Sequence, residues 1–225
     1  MTVMLDRPTA IETPEVPEDS FQALFRTLMT MEVPDGYRAE IIRGNIVMSP
    51  WSRGYYLDVM DALVEQLMPR LPESERVSYA PFLFALPGQE RAYGPDVYVA
   101  ARQAFRTTER FIDGEALTLA AELTSSSTRN ADWLDKLPVY ARAGVPVYLV
   151  LDMQVHTASA FWEPTPEGYA KRSVAKFGEK LRLPPPFAFD LDTTGFGTVP
   201  EHPENPENQG NAANSADPET PENQE

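Results

Sequence analysis

A chain of 225 residues, 42% of them hydrophobic, is long enough for one domain with a real core plus tails. No run approaches the roughly 18–20 apolar residues of a membrane span, the first residues carry no basic, apolar signal sequence, and the absence of cysteine excludes disulfides and thiolate metal sites. These features lead us to expect a cytoplasmic protein with no membrane partner. The net charge of −15 argues against nucleic acid at first sight, but residues 1–20 carry −4 of it and residues 201–225 carry −7, which leaves −4 for residues 21–200.

Composition divides the chain into a flexible, proline-punctuated extension over 1–17, a folded domain over 18–198 and an acidic Pro/Glu/Asn tail over 199–225. The tail cannot bury enough apolar surface to offset its ordering entropy, so it is expected to be disordered and solubilising. Within the domain, Phe21, Leu24, Phe25, Leu28 and Met29 recur at helical spacing behind Asp19 or Ser20 as N-cap, and Pro34-Asp35-Gly36 ends that segment. Tyr37–Arg43 and Ile46–Met48 flank Gly44-Asn45, which predicts a β-hairpin. A second amphipathic helix carries Leu57, Met60, Leu63, Val64 and Leu67 on one face and closes at Pro69 and Pro72.

Strand patterns follow at Val77–Leu86, Pro95–Ala100 and Ala116–Leu123. The run Ser125–Asn130 is rich in capping residues, and it introduces a helix from Ala131 to Ala143 with Trp133, Leu137 and Tyr140 on its apolar face and Gly144 as its stop. A buried strand Val147–Leu151 ends at Asp152, and strands Thr157–Trp162 and Tyr169–Ala175 form a meander. The order of elements predicts an α/β or α+β domain with a mixed sheet.

Two features carry chemistry. Asp96 opens a strand directly after Pro95, and Glu122 interrupts the apolar run Leu119-Ala120-Ala121-Glu122-Leu123. A carboxylate inside such a run needs a partner, because an unpaired buried charge costs several kcal/mol or shifts its pKa. A metal ion with a second carboxylate would supply one, and Mg²⁺ is commonly held by one or two carboxylates together with waters and a substrate phosphate. Lys136, four residues after Asp132, could stabilise charge developing at a phosphate. Plainer readings stand beside these: Asp96 as a strand-start turn residue, Glu122 paired with an arginine, Asp132 and Lys136 as an ordinary surface i,i+4 pair, and Glu40 as a solvated or ion-paired strand residue. His156 and His202 are too few and too distant for histidine catalysis or zinc.

Taken in order, Ala39-Glu40-Ile41-Ile42-Arg43-Gly44-Asn45-Ile46-Val47-Met48-Ser49-Pro50, Gly94-Pro95-Asp96-Val97, Ala121-Glu122-Leu123-Thr124-Ser125, Asp132-Trp133-Leu134-Asp135-Lys136-Leu137-Pro138-Val139-Tyr140 and Gly144-Val145-Pro146-Val147-Tyr148-Leu149-Val150-Leu151-Asp152 resemble the Uma-two family of restriction endonucleases, a branch of the PD-(D/E)XK nuclease superfamily, over roughly residues 20 to 195. The resemblance implies a restriction-endonuclease-like core, a mixed sheet flanked by helices. It also implies an endonuclease acting on DNA with Mg²⁺, or Mn²⁺ in its place, held by Asp96, Glu122 and the Leu123 backbone carbonyl. Lys136 would be the catalytic lysine, with Glu40 and Asp132 as supporting acids.

The chain departs from the superfamily pattern at Thr124, where a lysine is usual, and at Tyr55-Tyr56, where relatives carry histidine. Cutting two strands needs two sites, which a homodimer would supply. The rival readings are a nuclease fold kept as a weakly active or inactive binding or regulatory module, and a metal-dependent hydrolase of another phosphorylated substrate.

Overall fold

Local signals and long-range pairing assemble residues 20–125 and 128–197, which a computed structural model describes. The expected flexible segment 1–17, the tail 199–225 and the middle of the Ser-rich run lie outside these residues. Helix α1 (Phe21–Thr30) starts where the Ser20 side chain accepts a hydrogen bond from the Ala23 amide at 3.2 Å, an N-cap as expected. Its buried Leu28 packs with Ile41 and Ala92. Strands β1 (Tyr37–Ile42) and β2 (Asn45–Pro50) pair antiparallel. Their turn is Arg43-Gly44, one residue earlier than expected: both have positive φ (49° and 70°), which matches the strand twist, and Ile42 then pairs with Asn45.

Helix α2 (Tyr56–Leu67) buries Tyr56, Val59, Met60, Leu63 and Leu67. Its inner stripe is rotated from the expected one: Leu57 is 45% exposed and Val64 lies at the margin of the core. The expected single strand Val77–Leu86 is instead two, β3 (Glu75–Ser78) and β4 (Leu83–Leu86), in different sheets. Pro81 between them lacks the amide a continuous ladder would require.

Strands β5 (Arg91–Tyr93), β6 (Val97–Ala101), β7 (Phe111–Asp113) and β8 (Leu117–Thr124) follow. The expected helix over 131–143 is a π-helical stretch, Ala131–Lys136, running into α3 (Leu137–Arg142). Gly144, with φ of 76°, stops it. Strands β9 (Val147–Asp152), β10 (Thr157–Thr165) and β11 (Gly168–Lys176) form the expected meander, and a small pair, β12 (Lys180–Arg182) with β13 (Asp190–Asp192), closes the domain.

A six-stranded sheet has the order β11-β10-β9-β8-β6-β3, and a five-stranded sheet the order β2-β1-β5-β4-β7. Only β8–β9 in the first and β4–β7 in the second are parallel. A parallel pair needs a crossover, and the π-helical stretch with α3 makes it between β8 and β9. Side chains alternate across the six-stranded sheet. Val97, Val99, Leu119, Ala121, Leu123, Leu149 and Leu151 pack with α2, whereas Tyr98, Ala120, Tyr148 and Val150 pack with Val139 and Tyr140 of α3. Among the described residues no helix is long and apolar enough to cross a membrane.

Candidate active site

The site follows from this alternation. Val97 pairs with Ala121, so one step further in the same register Asp96 lies across from Glu122. Glu122 shares the side of Ala120 and Tyr148, the face that α3 covers. It is fully buried, and Asp96 is 6% exposed. The Asp96 Oδ2 accepts a hydrogen bond from the Leu123 amide at 2.8 Å, which ties the acid to the residue after Glu122.

The crossover brings in the lysine. Lys136 is 1% exposed, and its Nζ lies 3.0 Å from Glu122 Oε1, 3.1 Å from Glu40 Oε1 and 3.6 Å from Asp132 Oδ1. Asp132 and Lys136 are therefore not a solvated surface pair: both are buried, on the turns where the helix widens. Such widened turns recur at functional sites because they redirect side chains. Glu40 is likewise no solvated residue; at 2% exposure it also accepts a hydrogen bond from the Gly94 amide at 2.8 Å, directly before Pro95-Asp96. The five acids and bases suggested by sequence and resemblance, Glu40, Asp96, Glu122, Asp132 and Lys136, thus come together from four separate stretches of chain.

Three carboxylates sharing one ammonium fix the protonation pattern. Burial tends to discharge Lys136, but Glu122, Glu40 and Asp132 outweigh it and hold the lysine protonated well above its ordinary range. Burial also raises Glu40, yet Lys136, Arg38 and the Gly94 amide prevail and keep its carboxyl below the usual value. Glu122 shifts the other way. Its desolvation exceeds the pull of Lys136, and repulsion from Asp132, Asp96 and Glu40 drives its pKa well up. Burial likewise lifts Asp132 to about 6 despite Lys136. Lys136 and Glu40 therefore form the settled ion pair, and Glu122 and Asp132 hold protons that a further positive charge would displace. The Glu122 Oε2 and Asp132 Oδ1 have no hydrogen-bond partner, while Tyr140 donates to Glu122 Oε1 at 3.3 Å.

Sequence reading missed Arg38 and Ser52. The Arg38 guanidinium donates to Asp96 Oδ1 at 2.8 Å and to the Gly94 carbonyl at 3.0 Å, and Ser52 donates to the same Oδ1 at 3.1 Å. Arg38 stands two residues before Glu40, on the same face of β1, and that spacing was the available signal. Ser52 lies in a loop and had none. At the two departures from the superfamily pattern, Thr124 is fully buried with its hydroxyl unpartnered, and Tyr56 donates to the Thr124 carbonyl at 3.3 Å. Tyr56 is thus a buried structural residue, and the side chain at 124 contributes no charge.

Asp96 and Glu40 also line an open cleft of about 710 Å³ between the hairpin, the start of α2 and the β3–β4 connection. Among the described residues no group of three or more Asp, Glu or His side chains is placed to hold a metal ion. The family model Uma2, described as "Putative restriction endonuclease", matches residues 25–194. A crystal structure described as "a putative nuclease belonging to DUF820 from Anabaena variabilis" superposes with a TM-score of 0.57 at 16% identity, covering 78% of this chain and 96% of that one. It shares the restriction-endonuclease-like fold. No curated protein matches the chain.

Proposed function

Because the chain belongs to the Uma2 family, we propose that it is a magnesium-dependent endonuclease hydrolysing DNA phosphodiester bonds, with Asp96, Glu122 and the Leu123 carbonyl as ligands and Lys136 as the catalytic cation. One observation carries this reading: the buried cluster has more acid than base. Among the described residues Glu40, Asp96, Glu122 and Asp132, when all are ionised, exceed Lys136 and Arg38 by two charges, a surplus that protons on Glu122 and Asp132 relieve and that one divalent cation displacing those protons would match.

The donor set fits. Glu122 Oε2 is buried without a partner, and two carboxylates with one carbonyl suit Mg²⁺ or Mn²⁺, which keep several waters and need no third acid. Asp96 would have to share Oδ1, now held by Arg38 and Ser52. When bound, the metal ion would acidify a water and offset charge on the scissile phosphate. Lys136 keeps its ammonium through contact with Glu40 and presents it beside Glu122, where it stabilises negative charge building at the phosphate. Asp132 sets the lysine's position from one helical turn away, and Tyr140 orients Glu122.

The test is titration calorimetry of Mg²⁺ and Mn²⁺ into wild type and Glu122→Gln, followed by cleavage of plasmid and of single-stranded DNA with the same samples. Joint loss of binding and cleavage in the variant is the expected result. Plasmid cutting at the wild-type rate by Glu122→Gln would sink the assignment. A second reading, a nuclease fold kept as a binding or regulatory module, draws on the Arg38–Asp96 ion pair, which already neutralises one ligand from within the chain. It predicts no heat of metal binding in the wild type.

A further inference from the structure

The cleft beside Asp96 has walls that neither the fold nor the acid cluster explains. Among the described residues the exposed large aromatic side chains are Tyr37, Trp51 and Tyr79, at 46%, 48% and 40% exposure, and all three line this cleft. Among the described residues none of the three rings stacks on another ring or on a cation, and the Tyr79 hydroxyl donates to Asp61 at its rim, which leaves the ring face open. Monomeric proteins scatter exposed apolar residues singly, so their concentration in one concavity marks a binding surface.

Charge accompanies the rings. Arg53 and Arg110 line the same cleft, and no carboxylate pairs with either among the described residues. Arg38, at the floor, holds Asp96 through one terminal nitrogen, while its Nε is buried without an acceptor. Aromatic faces interleaved with free guanidinium groups are the surface on which unpaired bases stack while the backbone phosphates meet arginine. A duplex hides its base faces, and its binding requires an extended basic footprint. Residues 21–200 carry a net −4, a balance that works against so extended a footprint. The cleft volume, about 710 Å³, lies in the range of pockets that enclose a small ligand.

We propose that the cleft takes unstacked nucleotides of single-stranded DNA, with Trp51, Tyr37 and Tyr79 as the stacking platform and Arg53 and Arg110 on the phosphates. This rests on the nuclease reading above and specifies its substrate: an unpaired strand is led past the rings so that a phosphate arrives at Asp96. Trp51 is well placed to anchor the strand. Its amide continues the hairpin ladder by donating to the Gly36 carbonyl at 2.9 Å, and the next residue, Ser52, holds Asp96.

The experiment measures binding of a short oligothymidylate and of the matching oligo(dA)·oligo(dT) duplex to the full chain in EDTA, by anisotropy and by tryptophan emission. Wild type should bind the single strand at least about tenfold more tightly than the duplex, with quenching of Trp51, since Trp133 and Trp162 pack against the core. Trp51→Ala should weaken single-strand binding by about 5- to 150-fold, the range for loss of one stacked base, and Trp51→Phe should recover most of it. Duplex bound as tightly as single strand, with Trp51→Ala silent on both, overturns the proposal. Mg²⁺-dependent cleavage of plasmid or single-stranded DNA by that same preparation would then leave the nuclease reading standing, whereas absence of binding and of cleavage of either DNA would remove the two together.

Discussion

The two sides of Asp96 are built on opposite principles. Behind it, Glu40, Glu122, Asp132 and Lys136 form a desolvated network in which each side chain is at most 3% exposed and Glu40 alone reaches the cleft wall. In front of it, Trp51, Tyr37, Tyr79, Arg53 and Arg110 line an open cleft; among the described residues none of these rings meets another ring, neither arginine pairs with a carboxylate, and the Tyr79 hydroxyl alone reaches one, Asp61. Charges that must stay fixed while a phosphate reacts are costly to move, so they are desolvated and paired. On the proposed function, groups that would receive a strand need no partner within the fold, and stability is expected not to depend on them. The contrast separates substitutions that act on the fold from those that act on substrate.

The largest effect should come from Lys136→Ala, which leaves three buried carboxylates without their cation. Loss of one partner of a buried pair costs about 3–5 kcal/mol, and urea unfolding should show a loss of that size together with loss of cleavage. A loss below about 1 kcal/mol would show that the rear network is not held by its ammonium.

Asp132→Asn should show a pH-dependent difference. The Asp132 carboxyl titrates at about 6 in the folded state against 3.8 unfolded. Between these values the folded chain binds more protons than the unfolded one, so this residue's contribution to stability falls as pH rises through that window. Asparagine cannot ionise. The variant's stability relative to wild type should therefore improve by up to about 3 kcal/mol from pH about 4 to about 7, at about 1.4 kcal/mol per tenfold in proton affinity. Denaturation midpoints across that range check it, and a pH-independent difference would contradict the raised value.

Glu122→Gln should be milder for the fold. The amide resembles the protonated carboxyl that burial favours and still accepts from Lys136, so stability should stay within about 1 kcal/mol of wild type. Thermal shift with and without Mg²⁺ sharpens the comparison: metal-induced stabilisation is expected in wild type and none in the variant. Smallest of all is the effect of Trp51→Ala on stability, within about 0.5 kcal/mol, as for a surface side chain. A larger loss would mean that the open side of the site is structural after all.

Much of the rear side was legible in the chain. A glutamate within Leu119-Ala120-Ala121-Glu122-Leu123 cannot lie in a buried strand without a partner, and the Pro-Asp start of β6 stood out for a similar reason. The resemblance supplied Lys136, Glu40 and Asp132, which spacing alone favoured as surface residues. Where the reading of elements failed, it failed on long-range context. The run Val77–Leu86 looks like one strand until Pro81 and the two sheets divide it, and the α2 stripe turned because Tyr56 faces inward.

The sequence by itself determined the positions of the helices, the serine cap of the first and the glycine stop of the last, the hairpin, most of the buried strands and the two acids out of place in apolar surroundings, because periodicity, turn chemistry and the cost of burying charge are local facts. Tertiary structure alone decided that Arg38 and Ser52 hold Asp96, that one ammonium serves three carboxylates, and that Tyr37, Trp51 and Tyr79 share a cleft. Apart from the Asp132–Lys136 contact, four residues apart, these contacts join residues 14 to 96 positions apart. Only the pairing of strands, with the helical crossover between β8 and β9, brings such distant groups within hydrogen-bonding reach.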